Sequence, residues 1–108
     1  MGKLYTLDHK LLTETPEIRI GEKIYAVDNR QKTVRRIQEA SENIGGKDAF
    51  AGMEKVLEMA MGDKAAREIE EMDMPYPAYQ RLFELVMAAV TGEEPETIAN
   101  RFQVVQSQ

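Results

Sequence analysis

The last third of the chain contains a predicted helix with almost no polar side. Between Leu82 and Val90, Glu84 is the only polar residue, so apolar side chains point in nearly every direction around the helix axis. A helix of this kind must be surrounded. Either it forms the centre of a small helical domain, or its second face is covered by another subunit or by a client.

The first part of the chain has a different periodicity. Two short runs rich in β-branched residues, 17–20 and 23–27, flank Gly21-Glu22, where glycine allows the positive φ of a tight turn. The pattern predicts a β-hairpin over residues 17–28. A two-residue turn would put Ile18 and Tyr25 on one face and Arg19 and Ile24 on the other.

After residue 30 the apolar residues follow helical spacing, and glycine and proline divide the pattern into segments. Gly45-Gly46 is predicted to end the first helix and Asp48 to cap the second. The predicted helices are 30–44, 48–61, 63–73, 77–91 and 95–103.

The sequence therefore predicts an α+β fold that is mostly α-helical, with a hairpin followed by a bundle of four to five short helices. With 108 residues, the chain has the length of one domain, which we assign to residues 16–108. Residues 1–15 fit neither a strand nor a helix well, and a third strand or an extended arm both remain open.

Composition argues against several classes of function. The chain has no cysteine and one histidine, His9, so thiolate metal sites, cysteine nucleophiles and multi-histidine metal sites are excluded. We therefore expect that the protein is not an enzyme and that it binds neither a cofactor nor a metal ion. Because no window approaches the roughly 18 continuous apolar residues of a membrane span, we also expect a cytoplasmic protein without a membrane partner.

Charge is distributed unevenly along the chain. Residues 1–40 carry eight Lys/Arg and six Asp/Glu, whereas residues 41–108 carry six and thirteen. The acidic part repels phosphate backbones, so nucleic acid is an improbable partner for it. A basic cluster near the predicted first helix could still meet nucleic acid or an acidic partner, or it could be a solvated face. Its members are Arg30, Lys32, Arg35 and Arg36.

Two further features invite a functional interpretation, but a structural one is favoured for each. Four carboxylates between Glu68 and Asp73 lack the spacing of a calcium loop, so a solvated helix face is expected. His9, beside Asp8, is expected to be a surface residue rather than a general base.

The order of several segments resembles the small tail assembly chaperones of long-tailed bacteriophages and prophages, the class of the lambda gene G product. The hairpin "IRIGEKIYAVD" is followed by the helix "TVRRIQEA" and then by "VLEMAMGDKAAREIEEM". After a turn comes "YQRLFELVMAAVTGEEPETIANRF". None of these segments is a catalytic signature, so the resemblance is one of shape and spacing.

The resemblance implies a binding function. Members of the family coat the long helical tape measure protein, keep its apolar surfaces from aggregating, and are displaced when tail tube protein polymerises. Several members also self-associate, which would suit the doubly apolar helix.

Methionine clusters between residues 50 and 90, and its flexible side chain suits surfaces that adapt to variable partners. If the chain is such a chaperone, we expect its contact residues on the helical part. The predicted contacts are Met72, Met74, Tyr76, Tyr79, Phe83 and Met87. Two alternatives remain: a small nucleic-acid-binding regulator that uses the basic cluster, and another phage structural or connector subunit.

Overall fold

The computed structural model describes residues 2–42, 44 and 49–106, with side chains up to Arg101. Within these ranges, a short helix precedes a two-stranded hairpin and five further helices. The predicted α+β, mostly helical fold is confirmed. The elements are α1 (His9–Thr13), β1 (Glu17–Ile20), β2 (Lys23–Ala26), α2 (Gln31–Glu42), α3 (Ala49–Met61), α4 (Asp63–Met72), α5 (Tyr76–Thr91) and α6 (Pro95–Gln106).

The hairpin has the register that its alternating pattern predicts. Ile18 pairs with Tyr25 across the antiparallel strands, and both are buried, whereas Ile24 on the opposite face is half exposed. Gly21 occupies the first central turn position with φ +63°, where a residue with a Cβ would be strained. The buried face of the hairpin therefore closes one side of the helical core.

Helix α5 lies at the centre of the domain. It packs against α3, α6 and β1, and seven of its residues are buried. The one buried carboxylate on α5, Glu84, accepts a hydrogen bond from Arg81 at 3.3 Å, and Arg81 also lies 3.6 Å from Glu96 on α6. The chain itself thus covers most of the apolar surface that made this helix unusual.

The observed helix bounds stay close to the predicted ones, with one clear difference. Helix α6 continues to Gln106, whereas the sequence predicted an end at residue 103. No glycine or proline occurs between Gln103 and Gln106 to end the helix earlier. The predicted helix end at Gly45-Gly46 and the predicted cap at Asp48 lie outside the described residues.

Residues 2–15 form neither alternative in full. Among the described residues the sheet has two strands, so a third strand is absent there. Instead, Asp8 caps the five-residue helix α1 by accepting a hydrogen bond from the Lys10 backbone N–H at 3.0 Å. The rest of residues 2–15 is irregular and largely exposed, and we call this segment the arm.

Candidate functional site

The six residues predicted to contact a partner separate into a buried pair and an accessible group. Phe83 and Met87 are 3% and 4% exposed and belong to the hydrophobic core, in which α5 packs against α3, α6 and β1. Their assignment to a contact surface is therefore corrected: in this fold they are core residues. Met72, Met74, Tyr76 and Tyr79 reach the surface.

Met74, Tyr76 and Tyr79 line one cavity at the corner between α4 and α5, and Met72 is the last residue of α4 before this corner. Asp73 ends α4 with φ +43°, and its backbone N–H donates to the Glu70 carbonyl at 3.2 Å. Pro75 precedes the first residue of α5, so the connection between the helices is short. Met72 and Tyr76 are 42% and 48% exposed on the two sides of this turn.

An aromatic residue from α3 completes the corner. Phe50 is three and seven residues before the buried Met53 and Leu57, which is the spacing of one helix face, but its own side chain is 56% exposed. Its ring centroid lies 5.5 Å from that of Tyr76, edge to face, and 6.4 Å from that of Tyr79. Phe50 was missed as a site residue because it has the same helical spacing as the buried residues of α3. Its side chain is exposed because it lies in the first turn of that helix.

A groove runs from this aromatic corner between α3 and α4, and we call it the α3–α4 groove. A cavity of about 200 Å³ at the corner shares four lining residues with a neighbouring cavity of about 540 Å³. The shared residues are Glu54, Ile69, Glu70 and Tyr79. The two cavities are thus parts of one surface depression with an apolar floor.

Carboxylates dominate the walls of the groove. The acidic lining residues are Glu54, Glu58, Asp63, Glu70 and Asp73, and Arg67 is the basic one. The hydrogen bond and like charge of Asp63 raise the pKa of the Glu58 carboxyl. Burial, followed by the charges of Glu54 and Glu70, raises the pKa of Tyr79 to about 12. The groove is therefore suited to apolar groups that carry nearby positive charge.

Away from the groove, one of the four carboxylates between Glu68 and Asp73 has a structural role. Glu68 accepts a hydrogen bond from the Lys23 ammonium at 2.6 Å and so connects α4 to the hairpin, while Glu70 and Glu71 are exposed. Within the described part of the chain, no cluster of three His, Cys, Asp or Glu side chains could hold a metal ion. His9 lies exposed in α1.

In the basic cluster, Arg30 is paired within the fold, whereas the other three residues lie exposed on α2. The Arg30 guanidinium donates to both Asp28 carboxylate oxygens at 3.0 and 2.9 Å, while Lys32, Arg35 and Arg36 lie exposed on α2. Their spacing of three and four residues places these three on one side of the helix.

Asp28 organises the start of α2. Its carboxylate also accepts hydrogen bonds from the Arg30 backbone N–H at 3.0 Å and the Thr33 hydroxyl at 2.8 Å. These bonds, led by the Arg30 side chain, hold the pKa of Asp28 well below its usual range.

We expect Asp28→Ala to lower the free energy of unfolding by about 1–2 kcal/mol at neutral pH, because it removes these bonds from the helix start. Since the folded pKa lies below the unfolded value of about 4, the contribution is complete above that value and is lost as the pH falls further. Urea unfolding at neutral pH and at about pH 3 measures this. Glu71→Ala, an exposed carboxylate on α4, is the control, and equal pH dependence of Asp28→Ala and the unsubstituted chain would contradict the prediction.

Comparison with protein-family models, with curated proteins and with solved structures found no match to this chain. None of the helices in the described ranges is long and apolar enough to cross a membrane.

Proposed function

We propose that this protein is a non-enzymatic phage tail assembly chaperone that binds apolar helical segments of a tape measure protein in the host cytoplasm. It holds these segments until tail tube protein replaces it. The α3–α4 groove, with its exposed aromatic corner, carries this proposal.

The side chains at the corner suit an adaptable apolar contact. Phe50 and Tyr76 offer large, partly exposed rings, and Met74 adds a flexible side chain beside them. Aromatic residues supply much of the binding energy in protein interfaces, and methionine adapts to partners of variable shape. A holding chaperone needs this combination because its client presents many different apolar segments.

The acidic walls add a preference for the charge of the client. Glu54, Glu70 and Asp73 surround the rings, so a bound segment gains from lysine or arginine beside its apolar residues. We therefore expect the preferred client segments to be amphipathic helices with basic flanks, and the binding to weaken as salt screens the charges.

A binding measurement with a soluble tape measure fragment tests the proposal. Tyr76→Ala and Phe50→Ala should each raise the dissociation constant about 30-fold, or about 2 kcal/mol, as expected for a central aromatic contact. Both variants should also lose the ability to suppress light scattering by an aggregating fragment. Ile24→Ala is the matched control, because Ile24 is equally exposed but lies on the outer face of the hairpin.

Two results would count against the proposal. Unchanged affinity in both aromatic variants would remove the groove as the binding site. Salt-dependent retention of the full chain on DNA that Arg35→Ala and Arg36→Ala together abolish would instead favour the regulator alternative.

A further inference from the structure

A second depression lies between α2 and α3, and we call it the α2–α3 groove. It has a volume of about 470 Å³ and shares no lining residue with the two cavities of the α3–α4 groove. Its lining residues are Arg36, Glu39, Ala40, Ala51, Gly52, Lys55 and Met59. The tape measure contacts proposed above do not use this surface.

The floor of the α2–α3 groove is apolar and is supported by the core. Ala40 from α2 and Met59 from α3 are partly buried and pack against the hydrophobic core. Gly52 allows Ile44, two residues after the end of α2, to pack onto α3, because a Cβ on Gly52 would lie 2.6 Å from the Ile44 side chain. The two helices therefore lie close together at this end, which holds the walls of the groove in place.

Positive charge dominates the walls of the α2–α3 groove. Arg36 on α2 and Lys55 on α3 are exposed and come from its two walls, and Lys32 and Arg35 continue the charge along α2. Among the described residues, none of the ion pairs includes any of these four cations. Glu39 is the one acidic residue that lines the groove, so its walls carry a net positive charge.

The shape of the α2–α3 groove favours a helix as its occupant. A depression between two packed helices accepts a third helix by the packing of ridges into grooves, with about 8–10 Å between the helix axes. Lys32 and Arg36 are one helical turn apart, so they match carboxylates that are one turn apart on a partner helix. None of the described lining residues is aromatic, so the groove lacks a ring on which a nucleic acid base would stack.

The main acidic surface of this chain does not fit the α2–α3 groove. Its carboxylates, which include Glu54 and Glu70, surround the α3–α4 groove, and that groove is itself a depression. Two depressions do not fill each other. The α2–α3 groove is therefore suited to a protruding acidic helix of another protein rather than to the acidic surface of a second copy.

We propose that the α2–α3 groove binds an acidic amphipathic helix of a partner protein. The apolar residues of this helix pack onto the floor, and its glutamates or aspartates pair with Arg36 and Lys55. The chain then has separate grooves on two sides of α3 for helices of opposite charge. This contact does not depend on the proposed function, which uses the other groove.

Fluorescence anisotropy of the full chain with a designed peptide tests the proposal. The probe is a fluorescein-labelled helix of about 18 residues, or five turns, with alanine and leucine along one face and glutamate at both edges of that face. The control peptide has glutamine at each glutamate position. We expect the acidic peptide to bind about 10-fold more tightly than the control, because a few partly exposed ion pairs together contribute this much. Equal affinity for the two peptides would contradict the proposal.

Amide chemical shifts of the isotope-labelled chain locate the bound peptide. We expect the largest changes within residues 32–40 of α2 and residues 51–59 of α3, which carry the walls and the floor of the groove. Changes confined to α4 and α5 would place the peptide in the other groove and would overturn the proposal.

Charge reversal on both walls tests the assigned cations. Arg36→Glu combined with Lys55→Glu should weaken binding of the acidic peptide about 30-fold, because two attractions become repulsions. Arg19→Glu combined with Lys10→Glu is the matched control, since it changes the net charge equally at exposed residues outside the groove. The control should change the affinity by no more than about 2-fold, because salt screens distant charges. Equal losses in the two variants would mean that binding follows net charge alone, against the proposal.

Ala51→Phe tests the floor of the groove independently of charge. Ala51 is exposed, so a ring at this position leaves the core intact but fills the groove. We expect the affinity for the acidic peptide to fall about 10-fold through steric exclusion. Ala26→Phe, at an exposed alanine of β2, is the control, and an unchanged affinity in Ala51→Phe would overturn the proposal.

Two other occupants give distinct results, and each would replace the proposed one. If duplex DNA displaced the acidic peptide at equal concentration, the surface would be a nucleic acid site. If the chain self-associated in sedimentation and the Arg36→Glu, Lys55→Glu variant did not, the occupant would be a second copy. Tyr76→Ala should weaken binding of a tape measure fragment and leave binding of the acidic peptide unchanged, so failure of one proposal is distinguishable from failure of the other.

Discussion

Phe83→Ala is expected to lower the free energy of unfolding by about 3–5 kcal/mol, a large part of the stability of a domain this small. The Phe83 ring is buried on α5 among side chains of neighbouring elements, so its removal leaves a cavity that the packed helices cannot close. Urea unfolding followed by circular dichroism measures the loss.

Tyr76→Ala is the matched control, because it removes an aromatic ring from the same helix. Tyr76 is nearly half exposed, so its removal should cost less than about 1 kcal/mol while weakening client binding. If Phe83→Ala caused only a small loss of stability together with a binding defect, Phe83 would be a contact residue and not a core residue.

Ile98→Ala is expected to cost about 2–5 kcal/mol. Ile98 is fully buried, and among the residues of α6 whose side chains are described, 95–101, it is the one that enters the hydrophobic core. Hydrogen exchange should show faster exchange of the α6 amides first, because the other links described for this helix are ion pairs at the surface, such as Arg101 with Glu93 at 2.6 Å.

The neighbouring Thr97→Ala provides the control for this prediction, since Thr97 is exposed on the same helix. It should change stability by no more than about 0.5 kcal/mol. Equal losses in the two variants would show that α6 contributes to stability through its ends rather than through the core.

The fold could be predicted largely from local signals. The period of two with a glycine at the turn determined the hairpin register, because a shift by one residue would move Ile18 and Tyr25 to the wrong face. Glycine and proline placed the helix ends to within a few residues. Helix α1 was missed, although Asp8 could have been recognised as its cap.

The candidate site was less predictable because it depends on which surfaces the chain covers by itself. Phe83 and Phe50 both fit an apolar stripe, and only the packing of α3, α5 and α6 buries one and leaves the other open. The many apolar residues on α5 suggested a binding face. In a small domain, however, neighbouring elements surround a central helix and bury these residues within the same chain. Met74, Tyr76 and Tyr79 were predicted as contact residues and do line the corner between α4 and α5, but residue spacing gave no sign that Phe50 joins them there.

Helix α5 joins the groove to the core along a single line of side chains. Tyr76 and Tyr79 lie in its first turns at the groove, and Phe83, Val86 and Val90 continue the same helical stripe inside the domain. The floor of the groove is thus the end of the hydrophobic core. It is exposed to solvent at the connection between α4 and α5. A molecule that fills the groove acts as a missing piece of the interior, so occupancy should raise the melting temperature of the whole domain.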